Sequence, residues 1–549
     1  MATYTRNNAW NNNGTFTNTD LLWYAKGVGK MMSRALNDPA SWWFYAAIHG
    51  EYVNPNTAWY KKNPARFPDW GFTLAPPTVP TTPLPTQSVR DLYWNQCQHG
   101  SWYFFPWHRG YLMALEAQLR QDITSLGGPA KWALPYWNYF GGTGGKQYVM
   151  PPAFGQKKLP DGSANALYMA MRYGPDADTK IYIPTAAGEA AHPGDPNFGY
   201  GEVTADAMKN NLYTGTDLVT PPPGFGGPDS GFAHSGSPHG NFESNPHDLV
   251  HVYVGGGISN TKYGLMADPG TAALDPIFYL HHCNIDRMWA LWNANGNANP
   301  KVAKWLNGPT RKFAMPGAGG QPWYYTPSQV ADLSKLNYTY QELKPAKPIP
   351  PPAAILSERF MRLGVPGAER KAKVIGATPV LPKKTELLGA SAKPLRIEGT
   401  ASESPVKLDS VVRRKAVRSM AMAMAAPKAA EPSLPDKVFL KLENVRGTFD
   451  ATVLSVYVNL PEKAKPRDSQ QYLAGNVALF GLNRASAKDG QHAGEGLTFI
   501  LGITRIADEL NLKNALDVDS LRVTIVPNRA LPKDAQITVG RISVFRQAF

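Results

Sequence analysis

The chain has little cysteine and no long apolar run. Only Cys97 and Cys283 occur among its 549 residues, which excludes a disulfide framework and a cysteine-rich zinc or iron–sulfur site. The absence of any run of about 18 apolar residues argues against a membrane span. The opening "MATYTRNNAWNNN" has no apolar core, so no signal peptide is visible and a cytoplasmic location is expected.

Tryptophan is missing from the C-terminal part of the chain. All 15 tryptophans lie between Trp10 and Trp323. This shift predicts an aromatic-rich domain over 1–345, which ends at the proline-rich "QELKPAKPIPPP", a segment that cannot be helical. We predict a proline-rich and basic low-complexity linker over 346–436 and a separate domain over 437–549.

The predicted linker carries much of the net charge of +14 but lacks aromatic residues. Residues 357–437 hold 16 lysines and arginines against 8 acidic residues, with no Trp or Tyr and a single Phe. Because nucleic-acid bases stack on aromatic side chains, we predict an exposed linker and no nucleic-acid partner. A basic nucleic-acid-binding module is the alternative, and it predicts salt-sensitive DNA binding through this segment.

The two ends of the chain differ in hydrophobic periodicity. Leu521, Val523 and Ile525 alternate with polar residues, which predicts short β-strands and an all-β sandwich over 437–549. In contrast, "GYLMALEAQLRQDI" and "DPIFYLHHCNIDRMWALWNAN" have helical spacing. The fold class is therefore a multidomain chain: a mainly α-helical domain with long loops, followed by a C-terminal all-β domain.

Seven of the 11 histidines lie in apolar or aromatic segments with helical spacing. His247 and His251 are four apart and share one helical face. His99 and His108 are nine apart, so they converge only if His99 precedes the helix, a break that Pro106 supports. His282 shares an apolar stripe with Phe278, so we favour it over His281. The spacing thus predicts two all-imidazole groups, which suit copper, zinc, nickel or iron: His49, His99 and His108, then His247, His251 and His282.

"HDLVH" also resembles the zinc-peptidase pattern H-E-x-x-H, in which Glu is the general base. Asp248 takes the Glu position and is one methylene shorter. A single zinc would also leave the cluster around His99 unexplained, so we favour a two-metal site.

Three stretches resemble the copper-binding regions of the tyrosinase and polyphenol oxidase (catechol oxidase) family of type 3 copper proteins. They are "CQHGSWYFFPWHRGYLMALE", "NPHDLVH" and "DPIFYLHHCNIDRMW". The resemblance implies two copper ions and O₂ as co-substrate. It implies these ligands: His49, His99 and His108 on one copper, and His247, His251 and His282 on the other.

The resemblance also assigns roles to three further residues. Cys97 lies two residues before His99, a spacing at which many relatives form a thioether between the two side chains. Glu243 matches a glutamate that holds a water proposed to deprotonate monophenols in plant relatives. Asp248 stands where that water's second partner is often Asn, which leaves the monophenol step open.

By this resemblance the chain is a phenol oxidase that converts o-diphenols to o-quinones and ortho-hydroxylates monophenols such as tyrosine. It would stay latent until its C-terminal domain, an intramolecular inhibitor, is cut away through the linker. A diphenol-only catechol oxidase and a haemocyanin-like oxygen-binding protein are the alternatives. The expected partners are small phenols and O₂, with a homo-oligomer possible and no membrane.

Overall fold

The chain forms two compact units, and the second takes up segments from the middle of the sequence. The computed structural model describes residues 4–50, 79–141, 146–192, 202–232, 237–259, 262–317, 321–344, 348–425, 433–488, 493–513 and 518–549. The first unit contains Met1–Thr204, Ser230–Ala233 and Pro246–Lys347, and the second contains Ala205–Asp229, His234–Asn245 and Pro348–Phe549. Within these described ranges, every helix is too short or too polar to cross a membrane.

The first unit is mainly helical, as predicted. Its two longest helices, Phe104–Ser125 and Ile277–Ala294, are buried along most of their length. The other helices are Thr19–Met32, Trp42–His49, Gln87–Tyr93, Ala186–Ala191, Leu249–Gly255, Ala303–Leu306 and Pro327–Val330. Strand Tyr4–Arg6 (β1) pairs in parallel with Tyr338–Tyr340 (β4), and Phe313–Pro316 (β2) pairs antiparallel with Pro322–Tyr325 (β3).

Local sequence signals set where the helices next to the histidines begin. The Ser41 side chain accepts a hydrogen bond from the Phe44 amide, which caps the helix Trp42–His49. Pro106 lies in the first turn of Phe104–Ser125, where its missing N–H costs nothing. The predicted break before that helix is therefore present, and His99 lies outside the helix that carries His108.

A buried ionic cluster ties the N-terminal strand and the last strand of this unit to its two long helices. Asp286 accepts hydrogen bonds from Arg109 Nε at 2.5 Å, Tyr338 Oη at 2.7 Å and Tyr340 Oη at 2.5 Å, and Arg6 Nη1 lies 3.3 Å away. Burial alone would raise the pKa of Asp286, but Arg109 and Arg6 lower it below its usual value. The carboxylate is thus held ionised between two guanidinium groups.

The second unit has a single nine-stranded sheet, which confirms the predicted C-terminal β-domain. The strands are Lys384–Ser391 (β5), Leu395–Arg396 (β6), Ser402–Leu408 (β7), Lys437–Arg446 (β8), Val453–Val458 (β9), Leu473–Ala478 (β10), Leu497–Gly502 (β11), Ser520–Pro527 (β12) and Thr538–Ala548 (β13). Their order in the sheet is β10-β9-β12-β7-β5-β13-β8-β11, with β6 paired to β13. Gly475 on β10 lies against Leu501 on β11, so the two ends of the order meet and the sheet is nearly a barrel.

The prediction of a linker over 346–436 is wrong for most of that segment. Three strands of the sheet, β5, β6 and β7, come from this segment. It also forms the helices Pro352–Arg362, Ala368–Ile375 and Ser410–Ala425. The unit also contains helices Leu482–Ser486 and Thr504–Leu512. Of the predicted linker, residues 346–347 and 426–432 lie outside the described residues.

The physical reason is that the charged residues of this segment are either turned outward or paired inside the second unit. Along β7, buried and exposed residues alternate, so Glu403 and Lys407 point outward. Arg359 is itself buried and makes a bidentate pair with Asp508, with Nε and Nη2 each 3.0 Å from a carboxylate oxygen. A count of charges over the whole segment cannot show this pattern.

We predict that Asp286→Asn destabilises the first unit by about 3–5 kcal/mol, because it leaves the Arg109 guanidinium buried without a carboxylate and removes one of the two carboxylates that pair with Arg6. Urea unfolding followed by tryptophan fluorescence would measure this, since every tryptophan of the chain lies in the first unit. Asp332→Asn is the matched control, because Asp332 pairs with Lys335 at the surface, and its effect should stay within about 0.5 kcal/mol. Equal unfolding midpoints for the two variants would contradict the prediction.

Candidate metal centre

His49, His99 and His108 come together in the first unit with Cys97. One ligand atom from each of the four lies within 4.8 Å of the others, and all four residues are buried. His49 is the last residue of the helix Trp42–His49, and His108 lies in the first turns of Phe104–Ser125. His99 reaches them from the preceding loop, so the predicted first group is assembled from two helices and a loop.

A second group contains His247, His251, His281 and His282, whose ligand atoms also lie within 4.8 Å of one another. His247 belongs to an irregular turn, Glu243–Asp248, in which Asn245 has φ −151° and ψ 114°. The regular helix Leu249–Gly255 follows and carries His251, and the ring centroids of His247 and His251 are 4.5 Å apart. The expected convergence of residues four apart therefore survives the irregular start of the helix.

The structure places both members of the His281–His282 pair in this group. His282 Nε2 lies 3.2 Å from His251 Nε2, and its ring stacks on His108 of the first group at 4.5 Å. His281 has its Nδ1 3.4 Å from the Tyr139 hydroxyl. His282 therefore lies between the two groups, as expected for a ligand, and its choice over His281 stays a prediction.

The two groups are adjacent. Besides the contact of His108 with His282, the ring centroids of His99 and His247 are 5.3 Å apart. Phe104 packs on His108 at 4.6 Å and on His247 at 4.8 Å, while Phe278 packs on His282 at 4.1 Å and on His49 at 4.7 Å. Two phenylalanine rings thus form apolar walls that each contact both groups.

Hydrogen bonds fix the tautomer of several imidazoles. The Nδ1 atoms of His49, His108 and His251 lie 2.8, 2.8 and 2.9 Å from the backbone carbonyl oxygens of Pro269, Phe104 and Met266. Because a carbonyl only accepts, each Nδ1 carries the proton and each Nε2 keeps its lone pair. These Nε2 atoms are therefore donors suited to a metal ion.

Burial keeps the second group neutral. It lowers the pKa of His247, His251 and His282 well below the usual value, and the neighbouring histidines lower it further. Neutral imidazoles held close together in a dry aromatic setting fit a borderline transition metal such as copper, and they do not fit calcium or magnesium, which prefer oxygen ligands.

Asp248 is placed as a partner of His247. Its Oδ1 lies 2.8 Å from His247 Nδ1, and since a carboxylate only accepts, Nδ1–H donates to it. The carboxylate thereby orients the imidazole, a common arrangement behind metal ligands. The role of Asp248 beside Glu243 that the resemblance suggested stays a prediction.

Glu243 begins the irregular turn that leads to His247 and is buried. Its Oε2 accepts from the Gly240 amide at 3.3 Å, and its Oε1 lies 3.7 Å from His239 Nδ1. Cys97 Sγ lies 3.3 Å from His108 Nε2. The thioether between Cys97 and His99 therefore stays a prediction.

Sequence reasoning missed the residues that orient the imidazoles through their backbone. Pro269 and Met266 contribute only carbonyl oxygens, which any residue could supply, so no side-chain signal marks them. Phe104 could have been found, because it precedes His108 by four residues on one helical face, as Phe278 precedes His282.

The comparisons with known proteins agree with this centre. A family model described as the common central domain of tyrosinase matches residues 39–295, and a model described as a domain of unknown function matches 384–547. The tyrosinase HcTyr1 of Hahella sp. (strain CCB-MM4) is 30% identical over 532 residues, which cover 95% of this chain and 96% of that protein. The chain belongs to the tyrosinase and polyphenol oxidase family. It is therefore a copper-dependent oxidoreductase.

Two further relatives extend over both units of this tyrosinase family member. The (+)-larreatricin hydroxylase of Larrea tridentata is 25% identical over 528 residues, covering 94% of this chain and 74% of that protein. The solved structure of latent apple tyrosinase has a TM-score of 0.55 at 20% identity and covers 99% of this chain and 97% of that one. This structural likeness supports the shared fold.

We predict that Asp248→Ala lowers copper affinity about 10- to 100-fold, because His247 loses the acceptor that orients it. Titration of the copper-loaded chain with a competing chelator would measure the loss. Asp248→Asn keeps an oxygen acceptor and should lose less, while Asp206→Ala, an exposed acid, is the control and should lose nothing. If the alanine and asparagine variants retain copper as tightly as the control, Asp248 does not act through His247.

Proposed function

We propose that the chain is a dicopper phenol oxidase that uses O₂ to oxidise o-diphenols to o-quinones and to ortho-hydroxylate monophenols. The observation that carries this proposal is the adjacency of two buried imidazole groups in a member of the tyrosinase family. A copper pair, when bound, supplies the two-electron chemistry with O₂. The remaining work of holding the metals and handling protons falls to the side chains.

We assign one copper to His49, His99 and His108 and the other to His247, His251 and His282. The carbonyl oxygens of Pro269, Phe104 and Met266 support this assignment, because they hold their histidines with the Nε2 lone pair available. The rings of Phe104 and Phe278 hold the imidazoles in place and exclude water between them. Removing water strengthens the interaction of each nitrogen with a cation.

For monophenols, we assign Glu243 to hold a water that takes the phenolic proton. Its burial and its position four residues before His247 support this role. The names of HcTyr1, a tyrosinase, and of larreatricin hydroxylase support a hydroxylating activity. We assign Asp248 to the same step as the second partner of that water, through the carboxylate oxygen that does not bind His247.

Glu243→Gln should lower the rate on tyrosine about 100-fold, because an amide cannot serve as the proton acceptor for the water. The rate on catechol should change little, since a diphenol does not need this step. The ratio of the two rates, measured by O₂ uptake with the copper-loaded chain, separates this effect from a loss of copper. Glu189→Gln, at an exposed acid, is the control. An unchanged ratio would remove Glu243 from the proton step.

We also propose that the second unit keeps the enzyme latent. The support is the match of 99% of the chain to a structure described as latent apple tyrosinase, together with the resemblance to family members whose C-terminal domain shields the copper site. We expect catechol oxidation to rise several-fold after cleavage near Pro348 and removal of the fragment 348–549. Activity that stays constant after removal would mean that this unit serves stability or assembly. A chain that binds O₂ but does not oxidise catechol in either form would be an oxygen carrier.

A further inference from the structure

A loop from the middle of the sequence is built into the second unit. Within the apolar cluster of that unit, Leu218 packs with residues of the helices Pro352–Arg362 and Ala368–Ile375. Its neighbours there include Leu356, Phe360 and Ala372, and all of them are buried. Leu218 therefore occupies a site formed by residues more than a hundred positions later in the chain.

The backbone around Leu218 is held by a buried lysine. Lys437 Nζ, on β8, donates to the carbonyl oxygens of Asp217 at 2.7 Å and Thr220 at 2.9 Å. The Asp217 carboxylate closes the same turn, because its Oδ1 accepts from the amides of Val219 at 2.9 Å and Thr220 at 2.6 Å. Burial lowers the pKa of Lys437 to about 7, which reflects how completely the turn and the sheet exclude water from its amino group.

Two further contacts lie on either side of the turn. The Thr216 hydroxyl donates to the Thr220 carbonyl at 2.9 Å, and its oxygen lies 3.1 Å from Gln547 Oε1 on β13. Pro221 lies near Gly502, at the end of β11. The second inserted segment is tied to the first, since Asn241 Nδ2 donates to the Pro221 carbonyl at 2.8 Å. Residues 216–221 thus contact helices, β8, β11 and β13 of the C-terminal segment.

We propose that residues 216–221 are an internal peptide ligand of the C-terminal segment 348–549 and hold it after the chain is cut at the 347–348 junction. The cut would leave 205–229 and 234–245 covalently joined to the first unit. The fragment 348–549 would then be bound through the pocket for Leu218 and the two carbonyls on Lys437. The peptide that binds here is a tight turn. It places one apolar side chain in the cluster and points the two carbonyl groups on either side of it at the Lys437 amino group.

The contacts of residues 216–221 should lower the dissociation constant of the fragment 348–549 measurably. Full burial of a leucine side chain corresponds to about a tenfold to hundredfold change in a dissociation constant. Each hydrogen bond from the Lys437 amino group to a backbone carbonyl contributes about a twofold to tenfold change. Both contacts are made by one short turn, so their effects should combine.

The test uses the full chain with a recognition sequence for a site-specific protease inserted at Pro348. After cleavage and dilution to nanomolar concentration, gel filtration would show whether the fragment 348–549 still elutes with the rest. We expect the cut parent chain to stay associated. On dilution, the cut Leu218→Asp and Lys437→Met chains should each lose the fragment at a protein concentration at least about tenfold higher than the cut parent chain does.

Matched controls are Leu512→Asp and Lys407→Met, at exposed positions of the same unit, which should release no more than the parent. Circular dichroism of the uncut variants checks their folding, and if Leu218→Asp fails to fold, Lys437→Met decides. Release of the fragment from the cut parent chain, or equal retention by the Lys437→Met and Lys407→Met chains, would overturn the proposal.

Retention of the fragment and latency are separate properties of the chain. Gel filtration measures how much fragment stays bound, and catechol oxidation of the same fractions measures inhibition. A cut chain that keeps its fragment and yet gains full activity would support the binding by residues 216–221 and refute the shielding role of the second unit. A cut chain that keeps both its fragment and its low activity would support the two together.

Discussion

The centre depends on holding several neutral imidazoles close together with their Nε2 lone pairs available. In water such a cluster would take up protons and its rings would rotate. Here burial lowers the pKa of the second group, and carbonyl or carboxylate oxygens bind the Nδ1 protons. The fold therefore supplies the energy needed to crowd the ligands.

The buried ionic cluster around Asp286 supports the same arrangement from one side. Asp286 lies one turn after His282 on the helix Ile277–Ala294, and Arg109 follows His108 directly on the helix Phe104–Ser125. The 2.5 Å bond between Arg109 and Asp286 therefore joins the two helices just beyond their histidines. A shift of either helix along its axis would separate the ion pair as well as the imidazoles. The distance between His108 and His282 therefore depends on the ion pair between Arg109 and Asp286.

The histidine groups could be predicted from the sequence, because a metal ligand must be a particular residue type at a particular spacing. His247 and His251, four apart, meet as predicted, and Pro106 marks the break that lets His99 join His108. The alternation at Leu521, Val523 and Ile525 likewise corresponds to β12. These features are local, so a pattern in the neighbouring residues is enough to find them.

Features that depend on residues far apart in the sequence could not be predicted from it. The basic segment after the first domain is ordered because Arg359 finds Asp508, 149 residues away, and because β5 and β7 enter a sheet whose other strands come later. Asp248 could be placed only when the ring of His247 was placed. Backbone carbonyl partners such as that of Met266 leave no trace in the residue types at all.

Segments from the middle of the chain belong to the second unit. Ending the gene before the C-terminal segment therefore has a different effect from cutting the folded protein. A gene that stops near residue 345 would produce Leu218 and Val219 without the C-terminal helices against which they pack. During synthesis these apolar side chains would face solvent in a loop that ends two residues before His247, which invites aggregation and a poorly formed second group. Attempts to make a permanently active form by truncation would therefore start from a different molecule than the one a protease leaves behind.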